Sequence, residues 1–438
     1  MGDTIYALSS GRPPAGIAVI RLSGSRSFEV TSCFVRNSQT LRPRTAHLRW
    51  LAIPGSGDLL DQALVTIFPA PNSVTGEDMV EWHCHGGRAV VRAVLDALNR
   101  LGATRPDLGL REAEAGEFTR RAFENGRIDL NEAEGLADLL SAETESQRRA
   151  ALLMAEGHFS RRLAKWRAEL LRCSALTESL LDFSDEDDVP DAGADMDLRT
   201  GISALVTDIE FQLAGPSAER LRDGVRLVLA GPPNAGKSTL MNALLGREAA
   251  IVSDIAGTTR DRIEAAVEIG GIAFVITDTA GLAETTEDPI ERVGIDRARQ
   301  AIETGDIVLW LGHPADRPRD DAICIAAQKD REGWVMPPDG GDIALSVHTG
   351  ENMTELVQMI LFRARALIPA EGEVALHRRQ RDGVCQIAEA LRAAFAEQDL
   401  VIVAEYLRIA RLAMDRLIGR SGVEDMLDTL FARFCIGK

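Results

Sequence analysis

GPPNAGKS, residues 231–238, matches the spacing Gly-x4-Gly-Lys-Ser of a phosphate-binding loop. Its surroundings fit. The apolar run RLVLA (226–230) precedes it as a strand, and STLMNALLG follows as the start of an amphipathic helix. Glycines let backbone N–H groups converge on a phosphate, and the helix N-terminus adds its positive pole. Asn234, Ala235, Gly236, Lys237, Ser238 and Thr239 form the cradle. Lys237 would meet the β- and γ-phosphates and Ser238 would ligate Mg²⁺.

Further on, AFVITDTAG closes an apolar strand with Asp278, Thr279, Ala280 and Gly281. An acid at the end of a strand beside the loop's own strand is placed to hold Mg²⁺ through water. Gly281 can offer its N–H to a γ-phosphate. Between these lies DIAGTTRD (254–261), where Thr259 could add a hydroxyl to Mg²⁺. The three elements in this order specify a nucleotide switch of the G-protein class. Two departures stand out. Leu282 follows Gly281, where many such proteins have a glutamine that orients water. The guanine-reading pattern Asn-Lys-x-Asp has Gln328, Lys329, Asp330 and Arg331 as its candidate: Lys329 fits the lysine, but the acid comes one place early and Arg331 fills its expected slot. Ser346 belongs to the same candidate base site.

Around this unit the texture changes. Residues 1–118 mix strand-like runs (GIAVIRL, ALVTIF) with Gly, Pro and Asn loops and read as α+β. Residues 119–218 and 370–438 repeat apolar positions at three and four and read as helical. Residues 219–369 alternate strands and helices. The expected fold is multidomain: an α+β N-terminal domain, a helical central domain, and a Ras-like α/β P-loop G domain inserted into it. The acidic stretch DFSDEDDVPDAGADMD (182–197) reads as a solvated loop.

The chain has 438 residues, 45% hydrophobic and 26% charged, a soluble globular profile. No apolar run reaches membrane-span length, and the N-terminus has no secretory pattern. Six scattered cysteines without a CxxC pair suggest a reducing, cytoplasmic setting. A net charge of −18 argues against generic nucleic-acid binding, so any such partner needs a local basic patch or another subunit. His83, Cys84 and His85 provide only part of a metal site; polar strand packing is the better reading.

These residues carry a resemblance. GPPNAGKSTLMNALLGREAAIVSDIAGTTRD, then DTAGL and ERVGIDRA, resembles the MnmE (TrmE) tRNA-modification GTPases. So do FPAPNSVTGEDMVEWHCHGG (68–87), GEFTRRAFENGRIDLNEAEGLADLL (116–140) and the terminal CIGK. The likeness implies GTP hydrolysis with Mg²⁺ and K⁺, and a homodimer built on N-terminal domains. It implies work with an FAD-dependent partner of the MnmG/GidA family on the wobble uridine of certain tRNAs. The one-carbon donor that the likeness implies is 5-formyl- or methylene-tetrahydrofolate.

Carried onto this chain, Asn234, Ser253, Ile255 and Thr258 fall where K⁺ is ligated, and the loop continues through Asp254, Ala256 and Gly257. Asn234 also reads as a turn residue chosen for its backbone geometry. Glu291 falls at the water-orienting glutamate. Asp288, Pro289 and Glu291 read equally as N-cap, first helical residue and N3 of a capping box; the missing glutamine after Gly281 favours catalysis. Arg21, Glu81 and Arg127 match folate contacts. The CIGK ending, by itself readable as a frayed chain end, is shared by the family, and the expectation drawn from it is that Cys435 takes part in the tRNA chemistry and Lys438 lies near the folate. Two alternatives remain: a regulatory switch of the ribosome-assembly type, which would want a basic RNA-binding module, and a member whose altered guanine motif weakens binding.

Overall fold

The computed structural model describes residues 2–36, 40–182, 192–247, 249–250, 264–279, 289–336, 340–419, 424–432 and 434–437. The chain forms two compact units, residues 1–137 with 415–438, and residues 138–414.

The first unit is built on a six-stranded sheet among the described residues. Its strands, in spatial order, are His47–Ala52, Leu59–Phe68, Met79–His85, Ile17–Ser23, Thr4–Leu8 and Leu110–Glu112. All neighbours are antiparallel except the last pair. The helix Arg88–Thr104 buries Val91, Val94, Ala97, Leu98 and Leu101, a three-and-four spacing that puts one apolar stripe on the sheet. The C-terminal stretch returns to this unit. Leu427, Leu430, Phe431 and Phe434 pack with Leu130 and Ala133. Ile436 then bridges Ala115 in antiparallel fashion. Gly437 has φ of +96°, and a Cβ there would lie 2.1 Å from the Leu8 carbonyl oxygen, so only glycine fits.

The second unit holds a seven-stranded sheet among the described residues, in the order Ile343–Ala344, Ile323–Ala326, Ile307–Trp310, Val225–Ala230, Ile272–Asp278, Glu264–Ile269 and Ala249–Ala250. The first five run parallel and the last two antiparallel to their neighbours. Val225–Ala230 is central, and apart from exposed Arg226 its side chains are apolar and buried on both faces. The strands that follow it, ending in Ile272–Asp278, lie on one side of it, and the chain then crosses to place Ile307–Trp310 on the other. That reversal opens a crevice at the carboxyl ends of the strands, where ligands bind in such sheets.

Long helices complete this unit. Ala192–Ala214 packs against both His158–Asp182 and Arg378–Ala396. The stretch expected as a solvated acidic loop is thus partly helical: residues 192–197 form the first turns of Ala192–Ala214, while residues 183–191 lie outside the described set. An acidic first turn suits the positive helix N-terminus. The α/β sheet is inserted between the helices, and its two connections lie side by side. Ala218 N donates to Leu376 O at 3.1 Å. Gln212 Nε2 donates to Val374 O at 3.0 Å, and Arg381 donates to Leu213 O and Gly215 O at 2.7 and 3.1 Å. No helix among the described residues is long and apolar enough to cross a membrane.

Candidate nucleotide site

The loop after Val225–Ala230 turns into the helix Lys237–Arg247. Gly236 takes φ of +97°, a conformation that a side chain would strain. Asn234 is also left-handed, at φ of +60°, and exposed. Its turn geometry is therefore real, and its exposed amide is compatible with an ion ligand as well.

Lys237 is buried within the loop. Its ammonium donates to the carbonyls of Gly231 and Pro232, each at 2.8 Å. Burial pushes the Lys237 pKa down, with the Asp278 charge opposing that shift. Ser238 Oγ donates to Asp278 Oδ2 at 2.6 Å, so a hydroxyl and a carboxylate meet at the helix start. Two hard oxygen donors of this kind fit Mg²⁺. Thr279 is used otherwise: its hydroxyl is buried and donates to Leu229 O at 2.8 Å, tying the two central strands together at their carboxyl ends. Ala235 is half-buried and Thr239 exposed in the same cradle.

Across the crevice lies the segment after Ile323–Ala326. Gln328 has φ of +60°, and its Nε2 donates to Asn234 O at 2.9 Å. Sequence reasoning named Gln328 but gave it no role; its left-handed backbone carries no sequence signal. Ser346 is fully buried and donates to Asp330 Oδ1 at 2.7 Å. That bond is the main reason the Asp330 carboxyl sits below its usual range. Lys329 pairs with Glu351, a partner that the sequence did not suggest.

Several expected residues lie outside the described set: Ser253, Asp254, Ile255, Ala256, Gly257, Thr258, Thr259, Ala280, Gly281 and Lys438. Glu291 falls in the helix Pro289–Thr304, but its side chain is not described.

In the first unit, strand register places Arg21 opposite Glu81. Arg21 Nε and Nη2 donate to Glu81 Oε1 at 3.1 and 2.8 Å. His83 Nε2 lies 3.3 Å from Glu81 Oε2, and Arg21 stacks over Phe118 at 5.7 Å. Arg127 is exposed beside Gly76 and joins no such cluster. Cys84 is buried, and burial pushes its thiol up to about 12; His85 pairs with Asp61 at 2.7 Å. No group of three or more His, Cys, Asp or Glu side chains placed to hold a metal ion occurs among the described residues. Cys435 is exposed, and Ile436 and Gly437 beside it hold it to Ala115 and Leu8.

Arg121 went unnoticed in the sequence. It is buried and binds Asp3, Glu77 and Glu117 at 2.8, 3.0 and 2.9 Å. Nothing in its local pattern distinguishes it from Arg120, which faces solvent.

Comparison with known proteins agrees with these features. The family described as GTP-binding protein TrmE N-terminus matches residues 4–127, and that described as MnmE helical domain matches residues 130–435. A protein named tRNA modification GTPase MnmE from Rhizorhabdus wittichii is 55% identical over 436 residues, covering 100% of this chain and 97% of the relative. Proteins of the same name from Erythrobacter litoralis and Zymomonas mobilis are 52% and 49% identical, covering 100% and 99% of this chain and all of each relative. Identity at this level over the whole length, with the phosphate loop, the strand-end acid and the terminal segment all in place, shows that this chain belongs to the MnmE family of tRNA modification GTPases.

Proposed function

We propose that this chain hydrolyses GTP at the loop 231–238 to drive modification of the wobble uridine of tRNA at C5, installing an aminomethyl-type group. An FAD-dependent protein of the MnmG/GidA family would be its partner. The observation that carries the reading is the meeting of Lys237, Ser238 and Asp278 at the switch point of the sheet.

Lys237 is already buried against its own loop carbonyls. A triphosphate would give that ammonium a better partner and relieve the cost of its burial. Ser238 and Asp278 would hold Mg²⁺, which supplies charge neutralisation at the phosphates. Asn234, with Ser253, Ile255 and Thr258, would hold K⁺. Glu291 would orient the attacking water, and Asp330, steadied by Ser346, would accept hydrogen bonds from guanine.

Tetrahydrofolate would supply the one-carbon unit when bound near Arg21, Glu81 and Arg127. Glu81, flanked by Arg21 and His83, offers a carboxylate acceptor for a pterin edge. The Cys435 segment crosses beside Ala115, on the chain just before Phe118, over which Arg21 stacks. Exposed Leu48, Trp50 and Leu64 sit on neighbouring strands and would support a homodimer through this unit. The domain division 1–118, 119–218 with 370–438, and 219–369 belongs to the same reading, as does a cytoplasmic location, with which six free cysteines agree.

The test is turnover of GTP and ATP by purified protein with Mg²⁺, in K⁺ and in Na⁺. GTP-selective turnover stimulated by K⁺ is expected; equal rates in the two salts would remove the K⁺ site from the mechanism. With the FAD-dependent partner and tRNA added, Cys435→Ser should block modification while GTP turnover persists. Full modification by that variant would leave Cys435 a packing role.

A further inference from the structure

We propose that the base-reading element of this chain is Ala327, Gln328, Lys329 and Asp330, so that Asp330 is the acid in its ordinary place and Gln328 occupies the lysine position. The proposal rests on the GTPase reading above and deepens it. In Asn-Lys-x-Asp the acid follows the lysine by two residues. Matching Lys329 to that lysine leaves Arg331 at the acid position, where it cannot accept a hydrogen bond. The structure sets a different register.

Three contacts define it. The first is the bond from Ser346, buried beneath the loop, to Asp330 Oδ1 at 2.7 Å. Ser346 Oγ also accepts from Thr349 N at 3.2 Å, so the hydroxyl proton is directed at the acid. Asp330 itself is exposed at the rim and remains an anionic acceptor. The second is Gln328, two residues before the acid. Its left-handed backbone turns the side chain over the phosphate loop, where Nε2 meets Asn234 O at 2.9 Å. A nucleotide spanning loop and acid therefore passes against Gln328. The third is Lys329, whose amine is paired with Glu351 and whose N–H donates to Leu345 O at 3.1 Å. Lys329 is thus engaged with the loop that follows Ile343–Ala344, away from the phosphates.

This register separates affinity from selectivity. The carboxylate of Asp330 can accept from N1–H and from the amino group of guanine; adenine presents an acceptor at N1 and is rejected. Selectivity is therefore retained. What is lost is the charge and the longer alkyl stem that a lysine would lay against the nucleotide, because Gln328 is neutral and shorter. Ala327 likewise has no amide to brace the loop. The element should bind guanine nucleotides loosely yet choose them correctly.

The experiment is titration of the full chain with a fluorescent GDP, with unlabelled GDP and ADP as competitors, at fixed Mg²⁺ and salt. Gln328→Lys should tighten GDP about 5-fold or more, and Lys329→Ala should change it less than about twofold. Asp330→Ala should weaken GDP by about tenfold or more and erase the preference over ADP. Weakening by Lys329→Ala or Arg331→Ala of the size expected for Asp330→Ala, with no gain from Gln328→Lys, would overturn the register. Thermal melts check that each variant is folded; if Gln328→Lys does not fold, the contrast between Lys329→Ala and Asp330→Ala decides alone. Absence of any guanine nucleotide binding by the unaltered chain would instead defeat the GTPase reading, so the two failures differ.

Discussion

Ser238 illustrates how a single side chain is committed before any ligand arrives. Its hydroxyl is already bonded to Asp278, so the two oxygens proposed to hold Mg²⁺ are pre-positioned rather than gathered on binding. Ser238→Ala removes one hard donor, and GTP turnover should fall about 100-fold with an increased Mg²⁺ requirement. A Mg²⁺ titration of the initial rate checks this; an unchanged Mg²⁺ dependence would exclude Ser238 as a ligand. Lys237, Ser238 and Asp278 could be read in the sequence because motif spacing and strand pattern are local. Gln328 and Arg121 could not. The role of Gln328 comes from a positive φ and a reach of 94 positions to Asn234, and that of Arg121 from Asp3 and Glu77, carboxylates brought in by two distant segments beside Glu117 of its own helix.

The helix Glu117–Glu124 shows the same limit one scale up. A three-and-four pattern assigns buried faces to apolar residues, as it does correctly for Arg88–Thr104. On Glu117–Glu124 the buried face includes Arg121, and the helix is held to the sheet by charge as well as by Phe118 and Ala122. Burial alone would raise the Glu117 pKa, but hydrogen bonds from Arg111, the Glu114 backbone and Arg121 outweigh it and hold the carboxyl low. Asp3 is lowered likewise: burial again opposes the shift and Arg111 and Arg121 prevail. Both carboxyls have folded pKa values below their unfolded ones. Their contribution to stability is present above about pH 4 and is lost as pH falls through the folded values. Arg121→Ala should destabilise the first unit by about 2–3 kcal/mol at neutral pH, since it removes the buried guanidinium that Asp3, Glu77 and Glu117 share. It should also move acid unfolding toward higher pH. Urea melts followed by circular dichroism between pH 3 and pH 7 measure both, and an unchanged acid limb would contradict the account.

Across the whole molecule, the inserted α/β sheet was visible in the sequence from the change of periodicity, but the way it is fastened was not. The helix Glu145–Ala155 begins in a capping box of Thr144 and Gln147. The same Gln147 side chain reaches on to Leu221 O at 3.1 Å and Arg222 O at 3.3 Å, just before the central strand. Ser146 N also meets Gly271 O, in the turn between Glu264–Ile269 and Ile272–Asp278, at 3.2 Å. Gln147→Ala should cost about 1–2 kcal/mol and make the connections near residues 215–217 and 370–376 easier to cleave. Limited proteolysis compares the two proteins; equal cleavage rates would show that Gln147 does not secure this joint.

The side-by-side connections at Ala218 and Leu376 have a genetic consequence. Because the chain leaves the helical layer and rejoins it at one place, a module can be spliced in or out there without redirecting either flanking helix. A few glycines joining residues 217 and 377 should bridge the gap. On the proposed domain division, residues 218–376 would then behave as a cassette, with the helices on either side as its socket.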